Sequence, residues 1–77
     1  MITTFDYELD ARALTCPLPV LRAKHTIDRL QRGQILCVRA TDPGSVRDFE
    51  AFCRQTGNEQ VSFEEHSGEY IFCLRKN

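Results

Sequence analysis

Cys16 is followed by Pro17, Leu18 and Pro19, in the run Thr15-Cys16-Pro17-Leu18-Pro19-Val20. Sulfur chemistry is the first thing such a run suggests. The spacing predicts that Pro17 is the first residue of a helix and that Cys16 is its N-cap. Caps are normally Ser, Thr, Asp or Asn, whose side-chain oxygen accepts a backbone N–H. A thiol is a poor substitute. A thiolate is a better acceptor, and the positive end of the helix dipole favours it. Cysteines in that position have lowered pKa values and act as nucleophiles. Pro19 has no N–H, so Leu18 is the expected backbone donor to the sulfur. The expectation is an exposed, mildly activated thiol walled by two proline rings. Arg12, Arg22 and Lys24 are the nearest cations in sequence.

The chemistry open to that sulfur is narrowed by what does not accompany it. The other cysteines are Cys37, Cys53 and Cys73, and no two of the four stand at C-x-x-C spacing. That spacing and the common zinc patterns are therefore missing, and neither a metal nor a cofactor is expected. A cysteine hydrolase needs a histidine base beside the thiol. His25 lies roughly 13 Å along the same helix at 1.5 Å per residue, and His66 falls in a predicted turn. A thiol presented without a base or a resolving partner suits a carrier. It would accept a sulfur atom, hold it as a persulfide and hand it on by thiol exchange.

The elements that must position this thiol follow from periodicity. Phe5 to Asp10 alternates and predicts a strand whose buried face is Phe5, Tyr7 and Leu9. Residues 17–32 read as a helix with Val20, Ala23, Ile27 and Leu30 on its apolar side, Leu21 beside them, and Gly33 at its end. Ile35 to Ala40 is a strand with Leu36, Val38 and Ala40 on one face and Ile35, Cys37 and Arg39 on the other. A second helix follows, with Asp42 or Ser45 as cap, Pro43 in its first turn, and Val46, Phe49, Phe52, Cys53 and Thr56 on its apolar side. Gly57 closes it. Gln60–Glu65 and Tyr70–Arg75 are strands joined by a turn at 66–69.

The order βαβαββ predicts an α+β fold. It is a two-layer α/β sandwich with both helices on one face of a four-stranded mixed sheet, the strand–helix–strand units crossing over right-handed. Phe49, Phe52, Phe63 and Phe72 read as core. Cys53 reads as a packed core thiol, and Cys37 as a partly exposed one on the face away from the helices. Arg22, His25, Arg29 and Arg32 recur at spacings of three, four and three, a basic stripe opposite the apolar side of the first helix. With Arg12, residues Arg22, His25 and Arg29 are candidates for docking an acidic partner protein.

The 77 residues are expected to form one domain, 1–77, with a modest core. No run of eighteen apolar residues is present, so no membrane partner is expected. The first residues lack the basic start and apolar centre of a signal peptide, which makes the cytoplasm the expected compartment and reduced thiols the expected state. A net charge of −1 gives no basic surplus for a nucleic acid. A free monomer is expected.

The segment from Leu9 to Leu21, with Asp10 before the loop and C-P-x-P at Cys16-Pro17-Leu18-Pro19, resembles the signature of the TusA-like (SirA-like) sulfur carrier proteins. The similarity continues through Ala40-Thr41-Asp42-Pro43-Gly44, Asp48, Phe52-Cys53 and the glycine after the second helix. It implies two helices on a four-stranded mixed sheet, with Cys16 carrying transferable sulfur and Asp10, Pro17, Leu18 and Pro19 as supporting motif. It implies a cysteine desulfurase or rhodanese-type donor and a sulfur-accepting relay protein. The pathways would be tRNA thiolation, sulfur oxidation or cofactor synthesis. The family has glycine at the position of Ala13, where a positive φ would cost alanine roughly 1 kcal/mol. The competing reading from the same residues is a non-catalytic regulatory or interaction module that uses the C-P-x-P loop as a docking point.

Overall fold

A computed structural model describes residues 4–77. The elements run β1 (Tyr7–Ala11), α1 (Leu18–Ile27), β2 (Ile35–Ala40), α2 (Gly44–Thr56), β3 (Glu59–His66) and β4 (Glu69–Arg75). The sheet order is β1-β2-β4-β3, with β1 parallel to β2 and the other two pairings antiparallel. This is the expected mixed four-stranded sheet with two helices. No helix among the described residues is long and apolar enough to cross a membrane.

The alternation in β2 sorts its side chains as expected. Leu36, Val38 and Ala40 are fully buried and share one face. Register places Leu74 opposite Leu36 and Phe72 opposite Val38, so β4 continues the same apolar face. Against it lie Pro19, Ala23 and Ile27 from α1 and Phe49 and Phe52 from α2. Phe49 stacks on Phe72 with ring centroids 4.4 Å apart, which ties α2 to the middle of the sheet. Ser67 and Gly68 both have positive φ, the backbone of a two-residue hairpin turn, and join β3 to β4.

Several boundaries and faces differ from the sequence reading. β1 begins at Tyr7, and Phe5 and Tyr7 are exposed, Tyr7 at 52%. β1 is an edge strand, and only Leu9 and Ala11 on it reach the core. Beside Tyr7 a groove of about 440 Å³ opens, lined also by His25, Thr26, Arg29 and Leu30. α1 stops at Ile27 rather than Arg32, because the next amides bond three residues back, Arg29 N–H to the Thr26 carbonyl and Leu30 N–H to that of Ile27. The basic stripe is therefore broken: Arg29 and Arg32 lie beyond the helix, and Gly33 belongs to the turn before β2.

Phe63 is 40% exposed, since β3 is the other edge strand, although its ring still rests 5.3 Å from that of Phe72. Leu21 is also exposed. Cys37 is 3% exposed rather than partly open. It sits on the second strand in, between Glu8 of β1 and Cys73 of β4. The Arg39–Glu8 ion pair, at 2.6 Å, shares its face, so long side-chain stems lie over a short one. Burial, then the neighbouring Cys73, pushes the Cys37 thiol up to about 12. Cys53 packs partly buried against the core, as its helical position predicted.

Candidate functional site: a thiol held between two strand-to-helix loops

β1 and β2 are parallel neighbours, and each runs directly into a helix. Their two outgoing loops, 12–17 and 41–43, therefore lie side by side at the carboxyl ends of the strands. In open α/β sheets this is where functional groups collect. The Ala13 N–H donates to Thr41 Oγ1 at 2.9 Å and ties one loop to the other.

The sulfur sits in that junction. Cys16 is exposed, and its S–H donates to Asp48 Oδ2 of α2 at 2.5 Å. Gly44 opens α2 directly beside it. A β-carbon at Gly44 would stand 3.1 Å from Cys16 Cβ, 3.4 Å from Sγ and 2.8 Å from Asp42 Oδ2. Close approach favours glycine here, since a β-carbon would crowd Cys16 and displace the Asp42 carboxylate. Asp42 Oδ2 accepts the Gly44 N–H at 3.0 Å, so Asp42 caps α2 from the residue before Pro43, the N-cap. Ser45, the rival cap, is fully buried, and its Oγ has no hydrogen-bond partner among the described residues.

Several expectations about the thiol are overturned. Pro17, not Cys16, occupies the N-cap of α1, and the helix begins at Leu18. The Cys16–Pro17 peptide is cis. The Leu18 N–H is taken by the Thr15 carbonyl at 2.8 Å, so it does not serve the sulfur. Nor do both prolines stand exposed beside it: Pro17 is exposed, whereas Pro19 is buried and anchors the first turn of α1 in the core.

The thiol is moreover raised above its ordinary pKa, not lowered. The bond to the Asp48 carboxylate is the largest cause, followed by lost solvation and the charges of Asp48 and Asp42. The expected cations are committed elsewhere. Arg12 grips Asp10 through Nε at 2.9 Å and Nη2 at 3.0 Å and reaches Glu69, and Lys24 pairs with Asp28 at 3.0 Å. Arg22 makes no ion pair among the described residues and is not among the charges acting on the sulfur.

The role of Asp10, opaque in the sequence, is local. It accepts the Arg12 backbone N–H at 3.1 Å as well as the guanidinium, and so folds the chain out of β1 into the loop. The Arg12 contacts hold its carboxyl at about 2. A depressed carboxyl stabilises above its ordinary value and loses that contribution as pH falls, so this clamp is released only near pH 2.

Ala13 has φ +67, the left-handed conformation that the missing glycine would adopt freely. That conformation costs an L-residue roughly 1–2 kcal/mol, and glycine returns roughly 0.5–1 of it as chain entropy. Ala13→Gly is expected to raise Tm by a few degrees, since about 1 kcal/mol corresponds to roughly 4–8 °C in a domain of this size. A thermal melt showing no gain would mean the loop holds Ala13 without strain.

Of the docking candidates, His25 and Arg29 come together at the groove beside Tyr7, and Arg22 is exposed on α1. Arg12 is separate, bound into the Asp10–Glu69 cluster. Sequence reasoning gave Asp42 only the role of helix cap and placed none of Thr41, Asp42, Gly44 or Asp48 at the thiol, though the parallel β–α pair was a signal that the second loop would meet the first. Among the described residues, no group of three or more His, Cys, Asp and Glu side chains is arranged to hold a metal ion.

The family described as Sulfurtransferase TusA matches residues 7–76 of the chain. The chain belongs to the TusA family. The sulfur carrier protein TusA of Allochromatium vinosum is 55% identical over 73 residues, covering 95% of this chain and 96% of its own. The TusA of Pseudomonas aeruginosa is 40% identical, covering 99% and 96%. The crystal structure of a SirA-like protein from Desulfitobacterium hafniense superposes with a TM-score of 0.80 over 91% of this chain and 96% of that one, at 22% identity. It shares the TusA-family fold described above.

Proposed function

We propose that this chain is a single-domain sulfur carrier that accepts sulfane sulfur as a persulfide on Cys16 and relays it to an acceptor protein. One observation carries the reading: Cys16 is the exposed cysteine among four, held at the mouth of two loops and hydrogen-bonded to no histidine or second cysteine among the described residues. The name sulfur carrier protein, borne by relatives that match nearly the whole chain, supports it. In loading, Cys16 Sγ attacks the outer sulfur of a donor persulfide. The donor S–S bond breaks, a new S–S bond forms at Cys16, and the donor sulfur departs as a thiol with the proton that Cys16 gives up. Unloading repeats the exchange on the acceptor thiol.

The chain supplies a nucleophile and its setting, and the partners supply the remaining groups. A cysteine desulfurase or rhodanese-type enzyme is the proposed donor and a relay protein the acceptor, in tRNA thiolation, sulfur oxidation or cofactor synthesis. Arg22, His25 and Arg29, free of ion pairs among the described residues, are the proposed contacts for an acidic face of such a partner. The test is to incubate the chain with a cysteine desulfurase and cysteine, then map the product by peptide mass spectrometry. The mass of one sulfur atom is expected on the Cys16 peptide. Equal gain on the peptides of Cys37, Cys53 and Cys73 would remove the reading.

A further inference from the structure

The contact between Cys16 and Asp48 has a built setting. Gly44 and Asp48 stand four apart on α2, and so on one face of the helix. At 44 the face lacks a side chain and Cys16 fills the space; at 48 it presents a carboxylate that accepts a hydrogen bond from the S–H. The thiol is thus seated on α2, not only on its own loop. The charges that act on it are Asp48 and Asp42, both negative and both from the α2 side. From its own loop and α1, Arg12 and Lys24 are bound to carboxylates, and no cation among the described residues is one of the charges acting on it.

Thiol exchange proceeds through the thiolate. A carboxylate accepting an S–H proton favours the thiol and opposes the thiolate, since removing the proton leaves two negative charges facing each other. An aspartate is also far too weak a base to retain a thiol proton. Asp48 therefore acts as a restraint rather than a general base.

We propose that Asp48 is a positioning residue that holds Cys16 on α2 as the protonated thiol and so restrains it from reacting with small electrophiles and oxidants while the protein is free. This rests on the reading of Cys16 as the sulfur-bearing atom. During transfer the Cys16 proton leaves with the departing donor thiol, and Asp48 gains and loses nothing. Once loaded, the outer sulfur lies one bond beyond Sγ, and the S–H that Asp48 held no longer exists. The restraint applies to the empty carrier.

The experiment is the pH dependence of alkylation of Cys16 by iodoacetamide, followed on the Cys16 peptide so that Cys53 does not contribute. One unit charge in close contact, screened as in water, changes such an equilibrium about fivefold. Asp48→Asn is expected to alkylate about fivefold faster at neutral pH, with the midpoint of its profile at lower pH. Asp48→Glu, which keeps the charge, is expected to stay nearer the parent, and Asp42→Asn to shift less than Asp48→Asn. Circular dichroism checks that each variant is folded. An Asp48→Asn profile that coincides with the parent overturns the proposal, as does an Asp48→Glu profile displaced as far as that of Asp48→Asn. Alkylation needs no sulfur donor, so failure of this proposal and failure of the carrier reading are separate results.

Discussion

Cys16→Ser protein is expected to gain no sulfur from a persulfide donor, where the parent chain gains one atom per molecule. The loss is total because a serine hydroxyl cannot form the S–S bond that holds the cargo, and no other cysteine is placed to replace it. Cys37 and Cys73 are buried and face each other across β2 and β4, and the Cys37 thiol is pushed up to about 12. Cys53 is partly buried, and lost solvation raises its thiol as well. The fold is expected to survive, since residue 16 is exposed and a serine hydroxyl can still donate to Asp48. Intact-protein mass spectrometry after incubation with donor and cysteine reads the gain, and a thermal melt reads the fold. A folded Cys16→Ser protein that still takes up sulfur would move the site to another cysteine. If it took up none yet kept its cellular function, the chain would be the interaction module that the C-P-x-P loop also allows.

Phe49→Ala is expected to be the most destabilising single truncation. Phe49 is fully buried on α2 and its ring stacks on Phe72 at the centre of the sheet. Phe→Ala in a packed core costs about 3–5 kcal/mol. Folded domains hold roughly 0.05–0.15 kcal/mol per residue, or about 4–12 kcal/mol for a chain of this size. The substitution thus removes about a quarter of the stability at least and all of it at worst. At roughly 4–8 °C per kcal/mol, a fall in Tm of about 20 °C is expected. Phe63→Ala is the comparison. It also removes a ring in contact with Phe72, but one that is 40% exposed on an edge strand. Its cost should be less than half as large, because much of the ring already faces water and a gap there fills with solvent. Equal losses at 49 and 63 would show that the core is not organised around the α2–β4 contact. Loss of Phe49 should also reach the site, since Asp48 precedes it on the same helix.

The two aromatic positions show where sequence reasoning stops. Both sit in apolar patterns and both read as core. Which one is buried depended on sheet order: β4 lies inside and β3 at an edge, and periodicity carries no information about neighbours. The same holds for Cys37. Its alternation correctly assigned it to the face away from the helices, but its burial came from Glu8, Arg39 and Cys73, which strand pairing brought around it.

What the residues determined by themselves was local. Period-two and period-3.6 patterns defined the order of elements, the helix-facing side of β2 and the inner face of α2, because those depend on which way successive side chains point. The C-P-x-P run identified Cys16 as an exposed thiol, and the substitution of alanine for the family glycine anticipated a positive φ at Ala13. The tertiary structure alone decided how acidic the thiol is. Reading along the chain placed Cys16 at the start of α1 and expected a lowered pKa from the helix dipole. Folding placed it against α2, where Gly44 leaves room and Asp48, 32 residues away in sequence, accepts a hydrogen bond from its S–H. Electrostatic effects fall with distance through space, and two parallel strands had to pair before those charges met the sulfur.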